Sequence, residues 1–209
     1  MFIDILIPSK NPDENLLKTV DSLSNIEEIK QIIIIDDSEN PNNKTYKKIK
    51  KKHNKIILLK NYNPGISGAL NTGIDFSNSK FLARIDSGDI CLDKNRFKKI
   101  INIFENKITI DLVCSGIINN KNKKIKPRCY YIGNVLSPFS KVPHPTWVFK
   151  KSSITVKYKT EHNRFEDYAF LLDNKMKIYN LNQYDLLYDT SQNLSRLTEF
   201  KTAYFKSIF

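Results

Sequence analysis

The chain has 209 residues, 40% of them hydrophobic, which suits one globular domain with a sizeable core and excludes a disordered chain. Its 34 Lys and Arg against 22 Asp and Glu leave a formal charge of +12, which calls either for an anionic partner or for an AT-rich coding bias that raises Lys, Asn and Ile together. No apolar run approaches the ~20 residues that span a bilayer.

The first apolar stretch, residues 2–7, is too short for a signal peptide and lacks a basic lead-in, so the expected location is the cytoplasm. It reads as a strand interrupted only by Asp4. Asn11 then caps a helix, with Pro12 at its first position and Glu14 three residues after the cap; Leu16, Leu17, Val20 and Leu23 share one face. Residues 31–35 hold four consecutive isoleucines ending in Asp36 and Asp37, apolar on both faces as in a central parallel strand. A Lys-rich helix over 45–52, a strand over 56–59 and a turn at Asn63-Pro64-Gly65 follow. Ile66, Ala69, Leu70, Gly73 and Ile74 mark the next helix, residues 81–85 the fourth strand. Asp93 caps a helix carrying Phe97, Ile100, Ile101 and Phe104. Strand and helix alternating over short connections predict a parallel sheet with helices on both faces.

The second half is less regular. Strands are expected at 112–118, 147–149, 178–181 and 185–188, and a helix over 167–176. From residue 194 onward Leu197, Phe200, Tyr204, Phe205 and Ile208 fall at helical spacing, a stripe that either covers the sheet or lies on an anionic membrane. Without a linker or repeat, residues 1–209 read as a single domain. Its expected divisions are a regular half over 1–110, a less regular half over 111–190, and an amphipathic helix over 191–209. Cys91, Cys114 and Cys129 have no metal-ligand spacing, and their odd, scattered count fits reduced thiols.

Three acidic sites fall where strands end or helices begin: Asp36-Asp37, Asp86 with Asp89, and Glu166-Asp167. Carboxylates at the carboxyl end of a buried strand are costly to desolvate unless a cation compensates, and that edge of a parallel sheet is where ligands bind. Asp-Ser-Gly-Asp is equally ordinary turn chemistry. Pro8-Ser9-Lys10 would lie on the same edge. No Gly-x-Gly-x-x-Gly follows the first strand, and neither Gly-Lys-Ser/Thr nor Gly-x-Ser-x-Gly occurs, which argues against dinucleotide-binding enzymes, P-loop NTPases and elbow hydrolases.

In order as well as content these residues resemble the inverting A-fold glycosyltransferases of the large bacterial family two group. Residues 5–11 (Ile-Leu-Ile-Pro-Ser-Lys-Asn) look like the opening strand and base-binding turn, and residues 33–38 like the strand ending in paired aspartates. Residues 63–73 are similar to the segment beside the nucleotide, 86–89 to the diphosphate and metal motif, and 165–168 (Phe-Glu-Asp-Tyr) to the Glu-Asp motif. The resemblance implies a nucleotide-diphospho-sugar transferase (GT-A, Rossmann-like) α/β fold with a mostly parallel sheet. It implies nucleotide contacts at Pro8, Ser9, Asp37, Asn63, Asp86 and Ser87, a Mn²⁺ or Mg²⁺ at Asp86 and Asp89, and Asp167 as general base beside Glu166. One departure matters: the family usually carries an acid at the third position of the metal motif, where this chain has Gly88.

His144 and Trp147, in the rigid segment Val142-Pro-His-Pro-Thr-Trp147, either meet the acceptor or are structural. The expected activity is sugar transfer from a nucleotide-diphosphate donor, a UDP-sugar, to a saccharide on a lipid carrier, with inversion, in bacterial surface-polysaccharide synthesis. Peripheral contact with an anionic membrane belongs to the same reading. The alternatives are a non-catalytic nucleotide-sugar-binding module of the same fold and a basic nucleic-acid binder. The second lacks any nucleic-acid motif.

Overall fold

A computed structural model describes residues 1–39, 44–162, 165–189 and 205. The first half runs β1 (Ile3–Ser9), α1 (Glu14–Leu23), β2 (Ile29–Asp36), α2 (Lys44–Lys52), β3 (Ile56–Lys60), α3 (Ile66–Phe76), β4 (Phe81–Arg84), β5 (Ile90–Cys91) and α4 (Arg96–Asn106). The second runs β6 (Leu112–Asn119), β7 (Lys124–Ile125), β8 (Tyr131–Ile132), β9 (Val135–Leu136), β10 (Val148–Lys150), α5 (Glu166–Asp173) and β11 (Ile178–Tyr188). One sheet takes the order β3-β2-β1-β4-β10-β6-β11-β5, with β7 on the side of β6 and β8 and β9 in a separate hairpin. Its first four strands are mutually parallel, and β11 runs parallel to β6, while β10 enters antiparallel between β4 and β6.

Side chains alternate across each strand, so one sheet builds two cores. Ile3, Ile5 and Ile7 of β1 and Ile32 and Ile34 of β2 pack with Leu16, Val20, Ile49, Phe97 and Phe104, the apolar faces of α1, α2 and α4. Leu6, Ile33 and Ile35 point the other way, toward Ala69, Leu70 and Ile74 of α3 and Phe170 and Leu171 of α5. Gly73 lets α3 lie close on the sheet, because a Cβ there would stand 2.9 Å from Leu6 Cδ2 and 3.0 Å from Ile35 Cδ1.

Several local expectations change. Asp13, not Asn11, caps α1 by accepting from the Asn15 N–H at 2.9 Å. Asn11 instead adopts φ +49° and donates its N–H to Ser38 Oγ at 2.7 Å, which joins two strand tips. α4 begins at Arg96 rather than directly after Asp93, whose carboxylate accepts from the Asn95 N–H at 2.9 Å and closes a turn ahead of the helix. The two short strands expected near the end are one, β11, with register shifts between Asn180 and Tyr184 and between Tyr184 and Leu186. The amphipathic stripe over 191–209 lies outside the described residues except for Phe205, which packs against the α3–α5 core.

Candidate functional site

The parallel strands β2, β1 and β4 end along one edge, and a cleft of about 820 Å³ opens there. Pro8 and Ser9 line it from the tip of β1, Asp37 from β2, Pro64 and Gly65 from the turn before α3, and Asp86, Ser87 and Asp89 from the turn after β4. Tyr188 and Asp189, at the end of β11, close the far side. A smaller cavity of about 420 Å³, walled by Lys50, Lys52, His53 and Lys55, contains none of the expected site residues.

The paired aspartates after β2 divide their work. Asp36 is buried, and its Oδ1 accepts from the Ser38 N–H and from the Tyr46 hydroxyl, both at 2.8 Å. Burial pushes the Tyr46 phenol well above its ordinary range. Asp36 therefore ties the strand end to α2, and Asp37 is the one that faces the cleft. Asp37 accepts from Asn61 Nδ2 at 2.6 Å and from the Gly65 N–H at 3.1 Å. Gly65 has φ +98°, a conformation that glycine adopts without strain.

Asn61, which sequence reasoning missed, is the organiser of this wall. Its Nδ2 also donates to the Asn63 carbonyl at 2.7 Å, and its Oδ1 accepts from the Asn63 N–H. Asn63 itself is exposed and absent from the cleft lining, while Pro64 and Gly65 of the turn that Asn61 holds belong to it. The only sequence signal for Asn61 was an amide at a strand end.

A second missed residue joins the donor edge to α5. Arg84 is 3% exposed; its Nε donates to Asp86 Oδ1 at 2.7 Å and its Nη2 to Asp86 Oδ2 at 3.1 Å. Its Nη1 donates to the His144 ring and stands 3.7 Å from Glu166 Oε1. Arginine can only donate, so in this contact a ring nitrogen of His144 is the acceptor. The charges of Asp86 and Glu166 raise the pKa of this guanidinium above its ordinary value although burial opposes that. A cation inside the apolar run 81–85 was the available signal.

Both residues offered for the acceptor side are held inside the protein. His144 is buried, 2.9 Å from the Tyr158 hydroxyl and 3.8 Å from Glu166, and it braces Arg84. Trp147 is fully buried; its indole N–H donates to the Val142 carbonyl at 3.2 Å and its ring packs against Phe170, so it is core.

Glu166 and Asp167 occupy the first turn of α5, outside the cleft lining but connected to it through Arg84. Burial, then the charge of Asp167, pushes the Glu166 pKa up to about 7. Asp167 is half-buried and accepts from the Tyr168 N–H at 2.7 Å. One acid of the pair is thus biased toward its neutral form next to a more accessible carboxylate, an arrangement suited to a single general base.

The residues after β4 fit a divalent cation that carries a diphosphate. Asp89 is 1% exposed and its Oδ2 has no hydrogen-bond partner. Burial, then the charge of Asp86, raises its pKa to about 8, more than the Arg84 charge and backbone hydrogen bonds offset. Both oxygens of Asp86 accept from Arg84, whereas Asp89 Oδ2 accepts from no group. Among the described residues no three His, Cys, Asp or Glu side chains converge on one point. The protein's share would be one or two carboxylates, with phosphate and water oxygens completing the shell, as hard divalent ions accept.

A parallel-sheet edge with a nucleotide-sized cleft, and an acid pair on a helix beside it, define the glycosyltransferase A-fold class. Residues 4–173 match the model of glycosyl transferase family 2, and the chain belongs to that family. An uncharacterized glycosyltransferase of Methanocaldococcus jannaschii, MJ1057, is 29% identical over 182 residues, covering 79% of this chain and 61% of the relative. The UDP-Glc:alpha-D-GlcNAc-diphosphoundecaprenol beta-1,3-glucosyltransferase WfgD of Escherichia coli is 26% identical over 121 residues, 57% of this chain and 48% of that protein. The fold is shared with S. aureus TarS 1–349 in complex with UDP, at a TM-score of 0.71 and 14% identity, over 96% of this chain and 65% of that one. The chain therefore spans roughly half to two thirds of these proteins.

Proposed function

We propose that this chain transfers a sugar from a UDP-sugar to a saccharide acceptor with inversion at the anomeric carbon. The observation that carries the reading is the buried Arg84, which links the donor-edge carboxylate Asp86 to the acid pair of α5. Residues 1–110 bind the nucleotide, with Asp37 and the Asn61-held turn at the base end and Asp86 and Ser87 at the diphosphate end. Residues 111–190 face the acceptor, and 1–209 act as one domain.

Asp167 takes the proton of the acceptor hydroxyl as its oxygen bonds to the anomeric carbon. The bond from that carbon to the diphosphate oxygen breaks, and the electron pair leaves with the nucleoside diphosphate. Attack from the face opposite the leaving group inverts the centre and needs no covalent enzyme intermediate. Glu166, held beside Arg84, positions the base. A Mn²⁺ or Mg²⁺ bound at Asp89 would supply positive charge next to the leaving diphosphate.

WfgD, by its name, uses UDP-Glc and an acceptor on diphosphoundecaprenol, and TarS binds UDP. Both support a UDP-linked donor, WfgD alone supports a lipid-carried acceptor, and surface-polysaccharide synthesis is the setting proposed here. Work on such an acceptor would place the chain at the cytoplasmic face of a membrane, where its +12 charge favours anionic lipid. No described helix is long and apolar enough to cross that membrane. A panel of nucleotide sugars, read by hydrolysis and by transfer to lipid-linked saccharides, tests the reading. Asp167→Asn should lower turnover by ~100-fold or more with UDP affinity unchanged. Undiminished transfer by that variant would remove Asp167 as base.

A further inference from the structure

The turn after β4 lacks a side chain at Gly88, and another part of the chain occupies the space it leaves. Gly88 has φ +103°, and its N–H is fixed by donation to Thr19 Oγ1 at 2.9 Å. A Cβ built on it would stand 3.0 Å from Asp189 Oδ2 and 3.3 Å from Asp189 Cβ. Asp189 follows β11, 100 residues further along the chain, and its N–H donates to Asp89 Oδ1 at 3.0 Å. One oxygen of Asp89 therefore anchors Asp189, while the other, Oδ2, is buried without a hydrogen-bond partner. Both residues line the same cleft. Asp189 thus brings a further carboxylate to the turn that carries the buried, unpartnered Asp89 oxygen, and a cation there would offset the cost of burying that oxygen.

We infer that Asp189 is a metal ligand of this site, acting with Asp89 to hold the divalent cation of the nucleotide diphosphate in place of a side chain at position 88. The inference rests on the nucleotide-sugar reading above. Two carboxylates leave the remaining coordination positions to phosphate and water.

Titration of the full chain with Mn²⁺ in the presence and absence of UDP, by calorimetry and by Mn²⁺ electron paramagnetic resonance, tests it. Asp189→Asn should weaken Mn²⁺ binding to the UDP complex by ~10-fold or more and leave metal-free UDP affinity within about twofold. Asp189→Glu should retain most of the Mn²⁺ affinity. Asp189→Cys should bind Cd²⁺ better than Mn²⁺, because a thiolate prefers the softer ion, a change that a purely structural role would not produce. Mn²⁺ affinity unchanged in Asp189→Asn, or no Cd²⁺ preference in a folded Asp189→Cys, overturns the assignment. Wild-type protein that binds UDP equally with and without Mn²⁺ overturns it too but leaves the nucleotide reading standing. Failure to bind UDP at all removes both.

Discussion

Replacing Glu166 by Gln should abolish a pH dependence of stability that this one carboxyl imposes. Glu166 is 8% exposed, and burial with the charge of Asp167 raises its pKa from 4.5 to about 7, against the opposing pull of Arg84. Asp86 adds to the rise, and His144 and Tyr158 complete its surroundings. Between those two pH values the folded chain binds the proton more tightly than the unfolded chain. The stabilising contribution is therefore fully present below about pH 4.5 and is lost as pH climbs through about 7. A gap of about 2.5 pH units, at ~1.4 kcal/mol each, amounts to roughly 3 kcal/mol. Gln has the shape of the neutral acid and carries no charge at any pH. Urea unfolding of both proteins should give stabilities within about 0.5 kcal/mol of each other at about pH 4.5, with the variant ahead by up to ~3 kcal/mol at about pH 8. Two parallel pH profiles would refute the reasoning, because they would mean that Glu166 ionises in the folded chain as freely as in water.

Other perturbations probe the scaffold around the cleft. Asp185→Ala strands Arg96, whose Nε lies 3.3 Å from the Asp185 carboxylate at 0% side-chain exposure, and should cost about 3–5 kcal/mol in chemical denaturation. Replacing the pair together by Met and Leu should recover most of that loss. Gly68→Ala would place a Cβ 1.8 Å from the Asn63 carbonyl oxygen, so backbone must move. A loss of about 1–3 kcal/mol, with weaker UDP binding because the moved turn is the cleft wall, should appear in thermal melts and calorimetry. Asp37→Ala removes the acceptor for Asn61 Nδ2 and the Gly65 N–H. Calorimetry should show UDP affinity reduced by ~10-fold or more, a change of about 1.5–3 kcal/mol.

Much of the architecture was legible because its signals are local. A run of four isoleucines is too β-branched for a helix and apolar on both sides, as a central strand is. The Leu16, Leu17, Val20, Leu23 spacing can only be one face of a helix. Short connections between such elements then dictate parallel order, which brings Asp37 and Asp86 to one edge. The motif order in the chain pointed to the family for the same reason, and the family model matches residues 4–173.

What the sequence by itself determined, then, was the strand–helix order and the acids at the strand tips, since periodicity and strand ends are properties of neighbouring residues. The tertiary structure decided which side chains meet across long separations. Arg84 joins Asp86 to Glu166, His144 becomes its brace, and Trp147 sinks into the core between β10 and α5. Asp189 reaches Asp89, beside the open side of Gly88, from 100 residues away. No local pattern encodes such pairs, because each depends on the register of β10 and β11 in the sheet and on the space that a missing side chain leaves.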